Sequence, residues 1–172
     1  MTSPSQELIE YERLVRKNIE TGSCDVFRNA SSAHAAVILR LFCEYAKRSV
    51  HILCNKLNDM VYADLTPYLE GAVRRGVDVK VLTVQGEDSL QSPRVVEYLK
   101  SVNRLHCLGT TDDILNVPHF AIVDNKMFRV ETDSEHRQAI VVTNIAANDT
   151  EKQEAVSVRE AAFAQLWDYA SA

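Results

Sequence analysis

The sequence predicts an α/β fold, a mixed sheet flanked by helices on both faces, with an added N-terminal helix. Three observations carry that expectation. Residues 31–84 alternate helix, strand, loop, helix, an Arg-Gly-Val step and strand, the order of a repeating α/β unit. Residues 50–54 are almost continuously hydrophobic, as a central strand covered on both faces is. Residues 120–142 hold three short apolar runs, the first two joined by an Asp124-Asn125 turn signal.

Each element has a local reason. Ser3-Pro4 suits a helix start, with proline in the first turn. Leu8, Tyr11, Leu14, Val15 and Ile19 follow at helical spacing up to Gly22, so residues 1–22 form a helical extension ahead of a domain at 23–172. Residues 24–27 read as a short strand. Ser31 or Ser32 caps a helix with the apolar stripe Ala36, Leu39, Phe42, Cys43 and Ala46. After strand 50–54 comes a loop at 55–59. A helix at 64–75 then closes on Gly76, and a strand occupies 77–84. Ser92-Pro93 opens a helix to about Val102, residues 105–108 form a strand, and 109–116 a polar loop. Strands at 120–123, 126–130 and 139–142 follow. Asp149 or Thr150 caps a final helix to about Tyr169, with Ala155, Val158, Ala162, Phe163, Leu166, Trp167 and Ala170 as its apolar face.

Composition narrows the function classes. At 172 residues, 46% hydrophobic and 25% charged, the chain has the make-up of a soluble domain able to bury a core. A net charge of −5 argues against broad nucleic-acid binding, which needs a basic surface to displace counterions, and leaves room for a local basic patch. Cys24, Cys43, Cys54 and Cys107 show no zinc or redox spacing and read as structural thiols. No His/Cys/Asp cluster has ligand spacing, and no Gly-rich phosphate loop is present, so neither metal nor cofactor is expected. With no signal peptide and no long apolar run, the expectation is a cytoplasmic protein without a membrane span.

The segment 117–144, VPHFAIVDNKMFRVETDSEHRQAIVVTN, holds the motif-bearing residues. With IVDN at 122–125, VET before Ser134 and QAIVV at 138–142, its frame resembles the signature of the phospholipase D superfamily, closest to its small bacterial endonucleases. Phe163 and Trp167 match a Phe-x-x-x-Trp pattern in that family's last helix, and the resemblance spans about residues 25–170. It implies a phospholipase D-like fold and metal-free phosphodiester chemistry. In the family a histidine attacks phosphorus, a second histidine from another motif copy protonates the leaving oxygen, and lysines stabilise the developing charge.

The motif residues themselves are replaced. Anchored on Asp124, the family histidine falls on Val117 and the lysine on His119. The glycine before the serine becomes Asp133, and the glutamate before the last strand falls near Arg137. A second alignment puts the histidine on His119, replaces the lysine by Ala121 and brings Lys126 to the aspartate position. Both leave the motif broken.

His119 is therefore the candidate residue for chemistry or anion contact. Asp124, Ser134 and Arg137 are candidate ligand residues from the signature, Arg137 as a bidentate anion holder. Asn55 and Lys56 are candidates because ligands of open α/β sheets bind beyond strand carboxyl ends. Each has a plainer role: a half-buried strand histidine, a turn aspartate, or a solvated loop for Glu131, Ser134, His136 and Arg137.

Two function classes follow. The first is a catalytically degenerate binding or protein-interaction module for a protein partner, small anion or nucleotide. The second is a metal-independent phosphodiesterase or nuclease. With room for one motif copy, that enzyme is a homodimer with two His119 residues across the twofold axis, and Lys126 or Arg137 in place of the lysine. Pairing of two copies is expected in both.

Overall fold

The computed structural model describes residues 4–87, 90–109, 118–133 and 138–172. Element order is α1 (Pro4–Thr21), β1 (Val26–Asn29), α2 (Ser32–Tyr45), β2 (Ser49–Cys54), α3 (Asp59–Tyr62), α4 (Thr66–Arg74) and β3 (Asp78–Thr83). Then follow α5 (Pro93–Ser101), β4 (Leu105–Cys107), β5 (Phe120–Val123), β6 (Met127–Asp133), β7 (Gln138–Val142) and α6 (Thr150–Ser171).

The strands form one mixed sheet in the order β1-β7-β6-β5-β2-β3-β4. Strands β2, β3 and β4 run parallel, joined by helical crossovers, while β5 lies antiparallel to β2 and starts an antiparallel meander with β6 and β7. Strand β1 closes the far edge, antiparallel to β7.

Alternation along each strand feeds two cores, so helices cover both faces as the sequence predicts. Val50, Ile52, Val79, Val81, Ala121 and Val141 pack toward the face of α1, α2, α4 and α5, where Val15, Ile38, Phe42, Leu69 and Leu99 bury. Leu53, Leu82, Phe120, Ile122, Phe128 and Val142 pack on the opposite face with Val156 and Phe163 of α6.

Helix α1 lies against α2. Val15 is fully buried, Arg16 pairs with Glu44 at 2.6 Å, and Arg40 pairs with Glu12. Helix α6 is pinned by His51, whose Nδ1 lies 2.7 Å from Glu160 Oε2 and whose ring stacks on Phe163 at 4.9 Å between centroids.

Several expectations shift. The first strand moves on to Val26–Asn29, and a short helix, Asp59–Tyr62, starts where the sequence reads as loop because Asn58 caps it through Val61 N at 3.2 Å. The next helix is Thr66–Arg74. On α6, Val158 is 62% exposed and the inward valine is Val156. Most of the polar loop at 109–116 lies outside the described residues. Among the described residues no helix is long and apolar enough to cross a membrane.

Candidate functional site

The β5–β6 hairpin sets the geometry of the site. Asp124 and Asn125 take φ of +56° and +57°, a left-handed pair that these two side chains tolerate better than most. Lys126 N donates to Val123 O at 2.9 Å and closes the turn. Along the hairpin Phe120 faces Val130, and one step further the Glu131 N–H donates to the His119 carbonyl at 2.9 Å. His119 and Glu131 are thus neighbours at the end of the sheet away from the turn.

That end also receives the last residues of β1, the start of α2 and the loop after β2. Together they enclose a cleft of about 270 Å³ between the sheet and α2–α3. Its polar wall is His119, Arg129, Glu131, Asn55, Lys56 and Ser32, and its apolar wall includes Ala35, Leu39, Ile52 and Ala121. Three residues expected at a site from the sequence, His119, Asn55 and Lys56, come together here.

Arg129, 6% exposed, is the cation at the base of this wall. Its Nε donates to Asn29 Oδ1 at 3.2 Å, and its Nη2 donates to Glu131 Oε1 at 3.2 Å. The other Glu131 oxygen, Oε2, lies 2.7 Å from His119 Nδ1. One carboxylate therefore bridges a guanidinium and an imidazole. Burial alone would raise the Glu131 carboxyl. The His119 hydrogen bond and the Arg129 charge outweigh it and hold the group below the ordinary glutamate range.

Other walls of the cleft differ in character. Ser31 caps α2 by accepting from His34 N at 3.2 Å, so a 14-residue helix presents its positive end beside Ser32. Asn55 Oδ1 is buried and has no hydrogen-bond partner among the described residues. Burial pushes the Cys54 thiol up to about 12 and Tyr62 well above its usual value, so neither supplies an anionic nucleophile near neutral pH.

The structure takes Asp124 out of this cleft. It sits at the turn end of the hairpin, 8% exposed, where its carboxylate accepts the backbone N–H groups of Lys47, Arg48 and Ser49 at 2.9, 2.7 and 2.9 Å. Those bonds tie the hairpin turn to the entry of β2, a structural duty. Lys126 occupies the same remote turn, so it does not reach His119 as a substitute lysine. Ser134, His136, Arg137 and Val117 lie outside the described residues.

Sequence reading passed over Arg129 and assigned Glu131 to a solvated loop. Glu131 is instead part of β6, its side chain 16% exposed. The available signal was period-two alternation, which puts Met127, Arg129 and Glu131 on one face of a strand in a sheet covered on both sides.

No known family profile matches the chain, and no curated protein matches it. Solved structures do. Nuc from Salmonella typhimurium, a phospholipase D family member, superimposes with a TM-score of 0.57 over 85% of this chain and 94% of its own, at 15% identity. The chain has the phospholipase D-like fold. NucT from Helicobacter pylori gives 0.52, with 84% and 94% covered at 12% identity. TrmBL2, an archaeal chromatin protein whose structure shows a novel mode of DNA binding, gives 0.60 at 18% identity. That match covers 96% of this chain and 61% of TrmBL2. At such identities the likeness speaks for the phospholipase D-like fold and not for a shared activity.

Proposed function

We propose that the chain is a phospholipase D-like binding module whose cleft takes a small oxyanion, such as the phosphate of a nucleotide, without hydrolysing it. The observation that carries this reading is the closed charge chain Arg129–Glu131–His119. Arginine, imidazole and the α2 N-terminus supply donors for an oxyanion. The chemistry of cleavage asks for more: a nucleophile, a second acid and a lysine close to phosphorus. Anchored on Asp124, the motif positions for nucleophile and lysine read Val117 and His119. Each missing group removes on the order of a hundredfold or more in rate.

A second reading has one observation in its favour. An imidazole held at Nδ1 by a carboxylate is fixed in orientation and tautomer, as a nucleophilic or acid–base histidine has to be. On that reading the chain is a metal-independent phosphodiesterase or nuclease, Arg129 serves as the cation, and two His119 residues meet in a homodimer. The net charge of −5 weighs against extended nucleic acid as the ligand.

Turnover separates the two. Purified protein is incubated with a chromogenic phosphodiester and with plasmid DNA in EDTA, beside His119→Ala. The binding-module reading expects no turnover from either protein. Turnover that disappears in His119→Ala supports the nuclease, and light scattering then shows whether the active species is a dimer.

A further inference from the structure

The two groups best placed to hold an oxyanion are both already engaged by Glu131. Its Oε2 lies 2.7 Å from His119 Nδ1 and its Oε1 3.2 Å from Arg129 Nη2, and all three residues line the cleft. We propose that Glu131 is an internal occupant of the anion seat, and that an oxyanion enters as this carboxylate gives way and takes up a proton. The inference rests on the oxyanion reading of the cleft.

Two features make Glu131 a displaceable partner. Its side chain is 16% exposed, against 8% for Arg129, so solvent reaches the carboxylate more readily than the guanidinium, which Asn29 also holds. The β6–β7 register also slips between Glu131 and Asp133. A register shift of this kind interrupts the ladder beside Glu131, so that the carboxylate is held there by its side-chain partners more than by regular strand pairing.

Proton uptake follows from the surroundings. The ionisable or charged groups around Glu131 are His119 from β5, Arg129 from β6, Lys56 from the loop after β2, Cys54 from β2 and Tyr62 from α3. From α1, Tyr11 senses the Arg129 charge. Burial pushes Tyr11 and Cys54 up to about 12 and Tyr62 well above its usual value, so none of them titrates in the neutral range. Glu131 is anionic because the His119 hydrogen bond and the Arg129 charge hold it so against burial. With an anion on those donors it loses both partners and gains a like-charged neighbour, and its affinity for a proton rises. Anion affinity then increases as pH falls.

The test is calorimetric titration of the full chain with sodium sulfate, whose charge stays constant across the range, against chloride of matched ionic strength. Wild type and Glu131→Gln are compared between about pH 7.5 and about pH 5, with thermal unfolding as a check of folding. The expected result is sulfate affinity about tenfold or more tighter in Glu131→Gln near pH 7.5. Wild-type affinity should rise toward pH 5 with net proton uptake. Wild type that binds as tightly as the folded variant at neutral pH overturns the gate and leaves the oxyanion reading standing. Binding by neither protein overturns both. If Glu131→Gln does not fold, the same pH series is run on His119→Ala, where a sulfate affinity that is flat with pH overturns the gate and a rise with proton uptake supports it.

Discussion

The Arg129 guanidinium donates to Asn29 Oδ1 at 3.2 Å, joining β6 to β1 across the intervening strand β7. Asn29 is fully buried, so this contact fixes a charged group inside the sheet edge from which the cleft is built. A buried cation with two partners is costly to leave with one or to remove from its carboxylate.

Arg129→Ala is expected to destabilise the chain by about 3 kcal/mol, because it takes one of two charge partners from the half-buried Glu131 and leaves it with His119. Asn29→Ala is expected to cost about 1–2 kcal/mol, since Arg129 keeps Glu131. Urea unfolding of both variants beside wild type measures the order, and a smaller loss for Arg129→Ala than for Asn29→Ala contradicts it.

Asp124→Ala removes the acceptor for the backbone N–H groups of Lys47, Arg48 and Ser49. A loss of about 2–3 kcal/mol is expected. Because Asp124 is remote from His119, ligand binding by the folded fraction should be unchanged. A folded Asp124→Ala protein with lost sulfate binding would return this aspartate to the site.

Acid stability reports on Glu131. Its folded carboxyl is depressed, so the stability it contributes is fully present above its ordinary value of 4.5 and is lost as pH falls through the lower folded value. Wild type should therefore lose stability steeply below about pH 4.5, with Asp78, also held low, adding to the slope. Glu131→Gln should show a shallower acid limb in urea melts. Parallel limbs would mean that Glu131 is not held by His119 and Arg129 in solution.

Thiol reactivity reads the cores. Cys43 and Cys54 are buried, and burial pushes both thiols up to about 12. They should resist a disulfide reagent until the protein unfolds, while the exposed Cys24 reacts in the native state. Mass mapping after a short exposure distinguishes the sites.

Much of this architecture is legible in the sequence. The run 50–54 became β2, sandwiched as a continuous apolar strand should be, and Asp124-Asn125 turned the hairpin because both residues accept positive φ. The candidate cleft was legible in part. Asn55 and Lys56 follow from the rule for strand carboxyl ends, and His119 from the signature frame. The turn role of Asp124 was legible in the Asp-Asn pair, but its backbone partners lie about β2, far away in sequence, and no local pattern reveals a long-range acceptor. Arg129 was missed because a charged residue alternating with Phe128 and Val130 looks like the wet side of an antiparallel strand. Helix α2 covers that side, which turns the arginine into a buried charge in need of Asn29 and Glu131. On α6 the inward stripe is Val156, Phe163, Leu166, Trp167 and Ala170, so Val156 rather than Val158 faces the sheet and Ala162 stays exposed.

The most direct test of the cleft as a non-hydrolysing oxyanion site is phosphorus NMR of a small phosphodiester with the protein at about pH 5.5, with side-chain spectra of His119 and Arg129. Binding without hydrolysis predicts that the diester resonance broadens, His119 and Arg129 shift together, and no monoester appears on prolonged incubation. A growing monoester signal that is absent with His119→Ala, or a diester resonance indifferent to the protein, would contradict it.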